Sequence, residues 1–213
     1  MTTLILLAKE CLPGKVKTRL HPPLSLEQAA ELAAASLDDT FTAVRSLPAT
    51  RRVLAFDGHR APAASAGYDV VPQVAGGLDA RIGAIFDGCT EPAVLIGMDT
   101  PQVSARVLAP LFADWPADVD AWFGPAADGG FWALALRNPD GDLVRGVPMS
   151  RADTGARQLD RLRGAGLRVR MLPTLTDVDH IEDAYTVAAL EPHGRFAATL
   201  AGFGVAQLSE ALR

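Results

Sequence analysis

The sequence predicts an α/β fold, a largely parallel sheet with helices on both faces. Three observations predict it. Short strand-like apolar runs alternate along the chain with segments whose apolar residues recur every three or four positions. The first run, residues 4–8, carries no charge and reads as a strand buried on both faces. Two later runs, residues 119–123 and 133–136, flank a glycine-rich turn and form a hairpin-like unit.

Bulk properties bound the function. With 213 residues and 49% hydrophobic content the chain can bury one good core, and we expect a single domain over 1–213. A net charge of −5 with no basic stripe argues against a nucleic-acid partner. No apolar run approaches bilayer length, and no cationic lead-in marks a signal peptide, so we expect a cytoplasmic protein that does not engage membranes. Cys11 and Cys89 have no metal-ligand spacing and suggest no disulfide framework. Cys89 reads as helix packing, and Cys11 as a residue of the loop described next that needs no chemistry of its own.

Directly after the first strand, Lys9, Lys15, Lys17 and Arg19 fall within eleven residues around a Pro13-Gly14 turn. Ligands of open α/β sheets bind beyond the carboxyl ends of strands, and ammonium groups beside a guanidinium fork suit a phosphate or pyrophosphate. Solvated surface is the competing reading of such a loop; the acidity of the chain as a whole stands against it. The loop is not a Walker motif, because Val16 follows Gly14-Lys15, and a G-x-G-x-x-G fingerprint is also missing here.

Ser25 and Gln28 then form a capping box for a long helix with Leu26, Ala30, Ala33, Leu37, Phe41 and Val44 on one face, ending before Pro48. Residues 52–56 give the second strand, and Asp57-Gly58 turns away from it. Residues 61–66 make a poor helix at best. Residues 68–74 give a third strand, which Pro72 ends early or confines to an edge. Gln73 leads into Gly76-Gly77 and a helix carrying Leu78, Ile82, Ile85 and Phe86, with Arg81 one turn in. These glycines would let an anion approach free N–H groups at a helix start, or serve as ordinary loop chemistry.

Residues 92–98 are the strongest strand signal, with Asp99-Thr100-Pro101 directly behind. A carboxylate there is placed to hold a divalent metal against a substrate phosphate. The alternative is capping of a helix over 104–112, for which Ser104 is nearer. In the hairpin turn, Asp128 would bond hydroxyls, Gly129 and Gly130 would admit a sugar or acceptor to the backbone, and Phe131 or Trp132 would form an apolar wall; simple turn chemistry competes. Residues 150–154 cap a helix to about Arg163, and residues 167–172 form a late strand. Asp177 and Asp179, one residue apart in an extended segment, would face the same side and reach one cation. Capping of a helix from His180 by Asp179 is the competing role. Residues 192–213 read as helix broken near Gly202 and Gly204, with Phe196, Leu200 and Phe203 packing onto the body.

The segments AKECLPGKVKTRL, LIGMDTP, GPAADGGF and DVDHIED occur in that order across about residues 3–184. As a set they resemble the nucleotide-diphospho-sugar transferase superfamily, the fold of GT-A glycosyltransferases and sugar-nucleotide nucleotidyltransferases. They are most similar to a small bacterial glycosyltransferase-like family related to molybdenum-cofactor and phospholactate nucleotidyltransferases. The resemblance implies a three-layer αβα sandwich with a mostly parallel, mixed sheet. It also implies a nucleotide site built from Ala8, Lys9, Gly14, Lys15, Lys17, Thr18 and Arg19, with the base near Gln73, and Mg²⁺ or Mn²⁺ on Asp99 aided by Asp179. Gly77 and Arg81 complete the candidate nucleotide contacts. This chain carries His180 and Ile181 where relatives usually carry threonine and proline, and one carboxylate at Met98-Asp99-Thr100 where typical GT-A enzymes carry D-x-D.

The expected activity is metal-assisted glycosyl transfer from a nucleotide sugar to a small acceptor. Lys17 and Asp99 would act at the phosphates, with Asp128 orienting the acceptor or serving as base. One alternative is nucleotidyl transfer from an NTP to a phosphorylated small molecule with release of pyrophosphate. Another is a non-catalytic nucleotide-binding module.

Overall fold

The computed structural model describes residues 1–204; the end of the expected tail helix, residues 205–213, lies outside the described residues. Seven strands form one sheet: β1 (Thr3–Lys9), β2 (Arg51–Asp57), β3 (Asp69–Pro72), β4 (Ala93–Ile96), β5 (Ala121–Pro125), β6 (Phe131–Leu136) and β7 (Val169–Met171). Their order is β3-β2-β1-β4-β6-β5-β7. Only β6 is reversed, running antiparallel to both β4 and β5, so the sheet is mixed and mostly parallel.

Alternation along β1 explains the three layers. Leu4, Leu6 and Ala8 project to the face covered by α1 (Leu26–Val44) and α3 (Ala105–Leu108), where they meet Ala33, Leu37, Phe41 and Leu108. Ile5 projects to the other face, against Ile82 and Phe86 of α2 (Leu78–Asp87) and Leu162 of α4 (Thr154–Gly164). Phe86 is fully buried, and burial of such a side chain contributes about 1.5–3 kcal/mol. A third cluster packs Ala29 and Leu32 of α1 against Ile181 and Val187 of α5 (Ile181–Leu190) and Phe196 and Leu200 of α6 (Arg195–Gly202). The expected capping box holds: Ser25 Oγ accepts from Gln28 N–H and Gln28 Oε1 from Ser25 N–H.

Several boundaries differ from the sequence reading, each for a local reason. The strand expected over 92–98 stops at Ile96, where its pairing with β1 ends; Gly97 N–H makes one more bond to Trp132 O, and Met98 O is taken by Ser36 Oγ. The helix expected over 104–112 divides into four-residue α3, capped by Ser104, and a 3-10 turn at Ala109–Leu111, since Pro110 has no N–H to continue the helix. Residues 61–66 give only the 3-10 turn Ala63–Ser65. The strand expected at 119–123 is Ala121–Pro125, because Val119 O is taken by the Arg137 guanidinium. At the sheet edge, β7 pairs only with β5 and is shorter than 167–172. Asp153 makes no side-chain cap on α4 and pairs with Arg151 and Arg157. Among the described residues no helix is long and apolar enough to cross a membrane.

Candidate active site

The carboxyl ends of β1, β2 and β4 and the β5–β6 turn open onto a cleft of about 740 Å³. Asp99 lines it, three residues beyond the last pairing of β4 to its neighbours. Three bonds fix the segment that carries it. Ser36 Oγ donates to Met98 O at 2.6 Å, Val178 N–H donates to Asp99 O at 3.0 Å, and Gln102 Nε2 donates to Thr176 O at 2.7 Å. The helix face of α1 and the 176–178 segment therefore hold the carboxylate from opposite sides.

Across the floor lies the cationic loop. Val16 and Leu20, each 1% exposed, anchor it in two different cores. Between them Lys17 adopts a left-handed backbone, φ 49° and ψ 37°, which turns its side chain inward. Its ammonium lies 2.8 Å from Asp99 Oδ1 and 2.9 Å from Asp179 Oδ1, with the side chain 9% exposed. Burial disfavours the charge, but Asp99 and Asp179 outweigh it and raise the Lys17 pKa. Arg19 Nη1 meets the other oxygen of Asp179 at 3.0 Å from the open side. Burial likewise opposes the Asp179 charge, yet Lys17 and then Arg19 hold its carboxyl below the ordinary value.

One end of the cleft is walled by Leu7, Ala8, Leu78, Ile82 and Leu95. Here Gln73 has both amide protons spent, its Nε2 donating to Ala8 O and Ala55 O at 2.9 and 3.0 Å, while its Oε1 accepts from Arg81 and keeps one lone pair. It fixes Arg81, whose guanidinium also bonds Asp57 Oδ2 and Gly76 O.

At the other end stand Asp128, Phe131, Trp132, Met149 and Arg151. Asp128 Oδ1 accepts from Gly130 N–H at 2.8 Å, so one oxygen makes the turn and the other is available to a ligand. Gly129 and Gly130 do not line the cleft. Gly129 has φ +89°, and a Cβ there would overlap the Ala152 carbonyl. Its own carbonyl accepts from Gly155 N–H. The two glycines thus serve close packing of the hairpin turn on the start of α4, which corrects their expected role in admitting an acceptor. Asp177 lies between the ends. Burial first, then Asp99 and Asp128, push its carboxyl up to about 7, with Lys17 opposing.

Two carboxylates on the cleft, Asp99 and Asp177, could face a hard divalent cation. Asp177 Oδ1 is buried without a hydrogen-bond partner, next to the Asp99 carboxylate, whose side chain is 41% exposed. Magnesium is commonly held by one or two carboxylates plus phosphate and water oxygens. Among the described residues no group of three or more His, Cys, Asp or Glu side chains surrounds one metal position. Asp179, the expected second ligand, has each oxygen already paired with a cation, and the neighbouring Asp177 is the carboxylate left unpaired. Nor does Asp179 cap α5, where His180 is the cap residue.

The structure thus brings together Ala8, Lys9, Arg19, Gln73, Arg81, Asp99, Asp128, Phe131 and Asp179 around one cleft, with Lys17 behind its wall and bonded to Asp99 and Asp179. Gly14, Lys15, Thr18 and Gly77 are not on its wall. Lys15 is exposed on the outer side of the turn whose Lys15 N–H bonds Leu12 O, and Gly77 is the cap residue of α2. Asp57, Met149 and Arg151 also line the cleft. Asp57 was detectable, since it ends the strand beside β1 in register with Lys9; no sequence signal pointed to the other two. Burial and then Asp99 push the Cys11 thiol up to about 11, which disfavours its thiolate.

A family profile described as an uncharacterized protein conserved in bacteria (DUF2064) matches residues 40–151, more than half of the chain. No curated protein sequence matches. Among solved structures, a protein from Desulfovibrio desulfuricans G20, provisionally named a nucleotide-diphospho-sugar transferase, superposes with a TM-score of 0.83 at 24% identity, covering 94% of each chain. A nucleotidyl transferase from Methanothermobacter superposes at 0.56 with 16% identity, covering 93% of this chain and 99% of that one. A CMP:2-keto-3-deoxy-manno-octonic acid synthetase complexed with CTP superposes at 0.55 with 14% identity, covering 90% and 98%. These likenesses establish a shared fold, the one anticipated from the sequence motifs.

Proposed function

Because the chain belongs to the bacterial DUF2064 family and carries the cleft described above, we propose that it is a transferase using a nucleotide-activated donor. The transfer we favour is of a glycosyl group from a nucleotide sugar to a small acceptor. One observation carries the reading: Asp99 lines a cleft of about 740 Å³ at the carboxyl ends of the strands and is held from behind by Lys17 at 2.8 Å. That volume lies in the range of small-molecule and cofactor sites, and the position is where open α/β sheets bind ligands.

The residues divide the work. Lys9, Lys17 and Arg19 neutralise the donor phosphates and orient the bond to be broken. Asp99 and Asp177 would hold Mg²⁺ or Mn²⁺, which when bound supplies charge stabilisation to the leaving diphosphate. The apolar end formed by Leu7, Leu78 and Ile82 receives the nucleoside, with Arg81 fixed at its edge. Phe131 and Trp132 wall the acceptor side, the indole held by its Nε1 bond to Pro173 O at 3.0 Å. Asp128 offers its free oxygen to an acceptor hydroxyl and can take up its proton.

A second reading, nucleotidyl transfer, is favoured by the number of cations around the cleft: Lys9, Lys17, Arg19, Arg81 and Arg151 exceed what a diphosphate needs and suit a triphosphate with a phosphorylated acceptor. Thermal melts with nucleotide sugars and NTPs, with and without Mg²⁺ or Mn²⁺, test the common premise. Saturation to a hundred times Kd should add about 2.7 kcal/mol. A flat melting temperature across all of them refutes the reading. Release of a nucleoside diphosphate marks glycosyl transfer, and release of pyrophosphate marks the second reading.

A further inference from the structure

We propose that a second cavity, at the opposite end of the sheet from the cleft, binds a small organic phosphomonoester. The cavity measures about 420 Å³, within the range of small-molecule sites. It lies between the last turns of α1, the start of β2 and the 3-10 turn at Ala63–Ser65. Arg52 is the second residue of β2, so this is the amino end of the strands, and among the described residues none lines both this cavity and the cleft. The proposal therefore does not depend on what the cleft binds.

Charge points to the ligand. Arg45, Arg52 and Arg195 line the cavity, and Asp38 is the acid among its lining residues. Asp38 Oδ2 is taken by Arg195 Nη1 at 2.8 Å. Arg52 is held firmly but by neutral groups: Nη1 donates to Val44 O at 3.0 Å, and Nη2 to Arg45 O and Leu47 O at 3.2 and 2.6 Å. The Arg45 side chain is exposed and has no hydrogen bond or ion pair among the described residues. Three guanidiniums against one carboxylate and about half a charge at the carboxyl end of α1 leave about +1.5. This stands in a chain whose net charge is −5. A phosphomonoester carries about −1.5 to −2 near neutral pH, and guanidinium forks match its oxygens.

The remaining wall suits the organic part. Tyr68 is half-buried, its ring edge-on to Phe41 with centroids 5.2 Å apart and the Arg52 guanidinium 5.9 Å from its centre. The alanines at 63, 64 and 66 continue this apolar side. Arg52 is thus fixed by α1 and stacked on Tyr68, whereas Arg45 and Arg195, the latter 72% exposed, can swing onto a ligand from the rim.

The test is calorimetric titration of phenyl phosphate, phenyl sulfate and inorganic phosphate into the full chain. Phenyl phosphate should bind at least about fivefold more tightly than the singly charged sulfate, because one more unit of charge faces the guanidiniums. It should also bind more tightly than inorganic phosphate, which lacks the ring. Arg45→Gln and Arg195→Gln should each weaken phenyl phosphate about tenfold, the usual size of a lost hydrogen bond to a charged group, while Arg19→Gln, in the cleft, should leave that affinity unchanged. Both rim residues are exposed, so the variants should fold. Absence of binding to wild type overturns the proposal. So does full affinity retained in Arg45→Gln and Arg195→Gln, or a loss confined to Arg19→Gln, which would place the binding in the cleft. Inorganic phosphate binding as tightly as phenyl phosphate overturns the assignment of an organic ester.

Discussion

Replacing Asp177 by Asn should stabilise the metal-free protein at pH 8 relative to its effect at pH 5. The folded carboxyl titrates near 7 against an ordinary 3.8, so the folded state binds this proton more tightly than the unfolded chain does. A raised value contributes stability that is fully present below about pH 4 and is lost as pH rises through about 7. At about 1.4 kcal/mol per pH unit, the whole interval is worth about 4 kcal/mol as a ceiling. Asp177 is only partly buried, and solvent near the group halves that or more. Over the narrower span from pH 5 to pH 8 we therefore expect the stability gap between variant and wild type to widen by about 1–2 kcal/mol in favour of Asn. Urea denaturation in EDTA at the two pH values measures it, because most other titrating groups cancel in the difference. A gap that stays constant or narrows refutes the picture of Asp177 as a carboxyl crowded by Asp99 and Asp128. Added Mg²⁺ should reverse the order at pH 8 by stabilising wild type.

Four further outcomes follow from the same contacts. Asp99→Asn should cut metal-dependent turnover at least about a hundredfold, measured by release of nucleoside diphosphate or pyrophosphate; unchanged turnover would remove Asp99 from the chemistry. Gly129→Ala should cost about 2–4 kcal/mol in urea denaturation, from a positive φ together with overlap on the Ala152 carbonyl, and a cost below about 1 kcal/mol would show the turn is not tightly docked. Ser25→Ala should cost about 1 kcal/mol by removing half of the capping box, read as a drop of about 2–4 °C in Tm. Gln73→Leu should cost about 1–2 kcal/mol, because two carbonyls lose a donor, and should also weaken nucleotide binding by releasing Arg81.

The α/β order, the helix faces and the hairpin were legible because each rests on local periodicity: Ile5 and Leu6 separate to opposite faces whatever surrounds them. The end of β4 was not, since it depends on Ser36 Oγ taking Met98 O, 62 residues apart in sequence. The same division runs through the cleft. Asp99 and the cationic loop were visible because a strand end and a cluster of charge are both local features. Which lysine turns inward was not: Lys15 and Lys17 are chemically alike, and a left-handed backbone at Lys17 with buried Val16 before it selects between them. Asp177 and Asp179 lie one residue apart and line one cleft, but the sequence holds no sign of the asymmetry that pairs one with two cations and leaves the other with a bare oxygen. Arg151 and Met149 reach the wall only because the segment before α4 packs onto the glycine turn, a contact made by tertiary fit.

The one reversed strand has an evolutionary consequence. By doubling back between β4 and β5, β6 carries the 126–130 turn to the rim, on the far side of β4 from β1 and β2. Under the proposed function, descendants could lengthen or exchange that turn and acquire new acceptors while β1 and β2 stay unaltered, so that chimaeras spliced at this hairpin become a practical route to redirecting what such proteins modify.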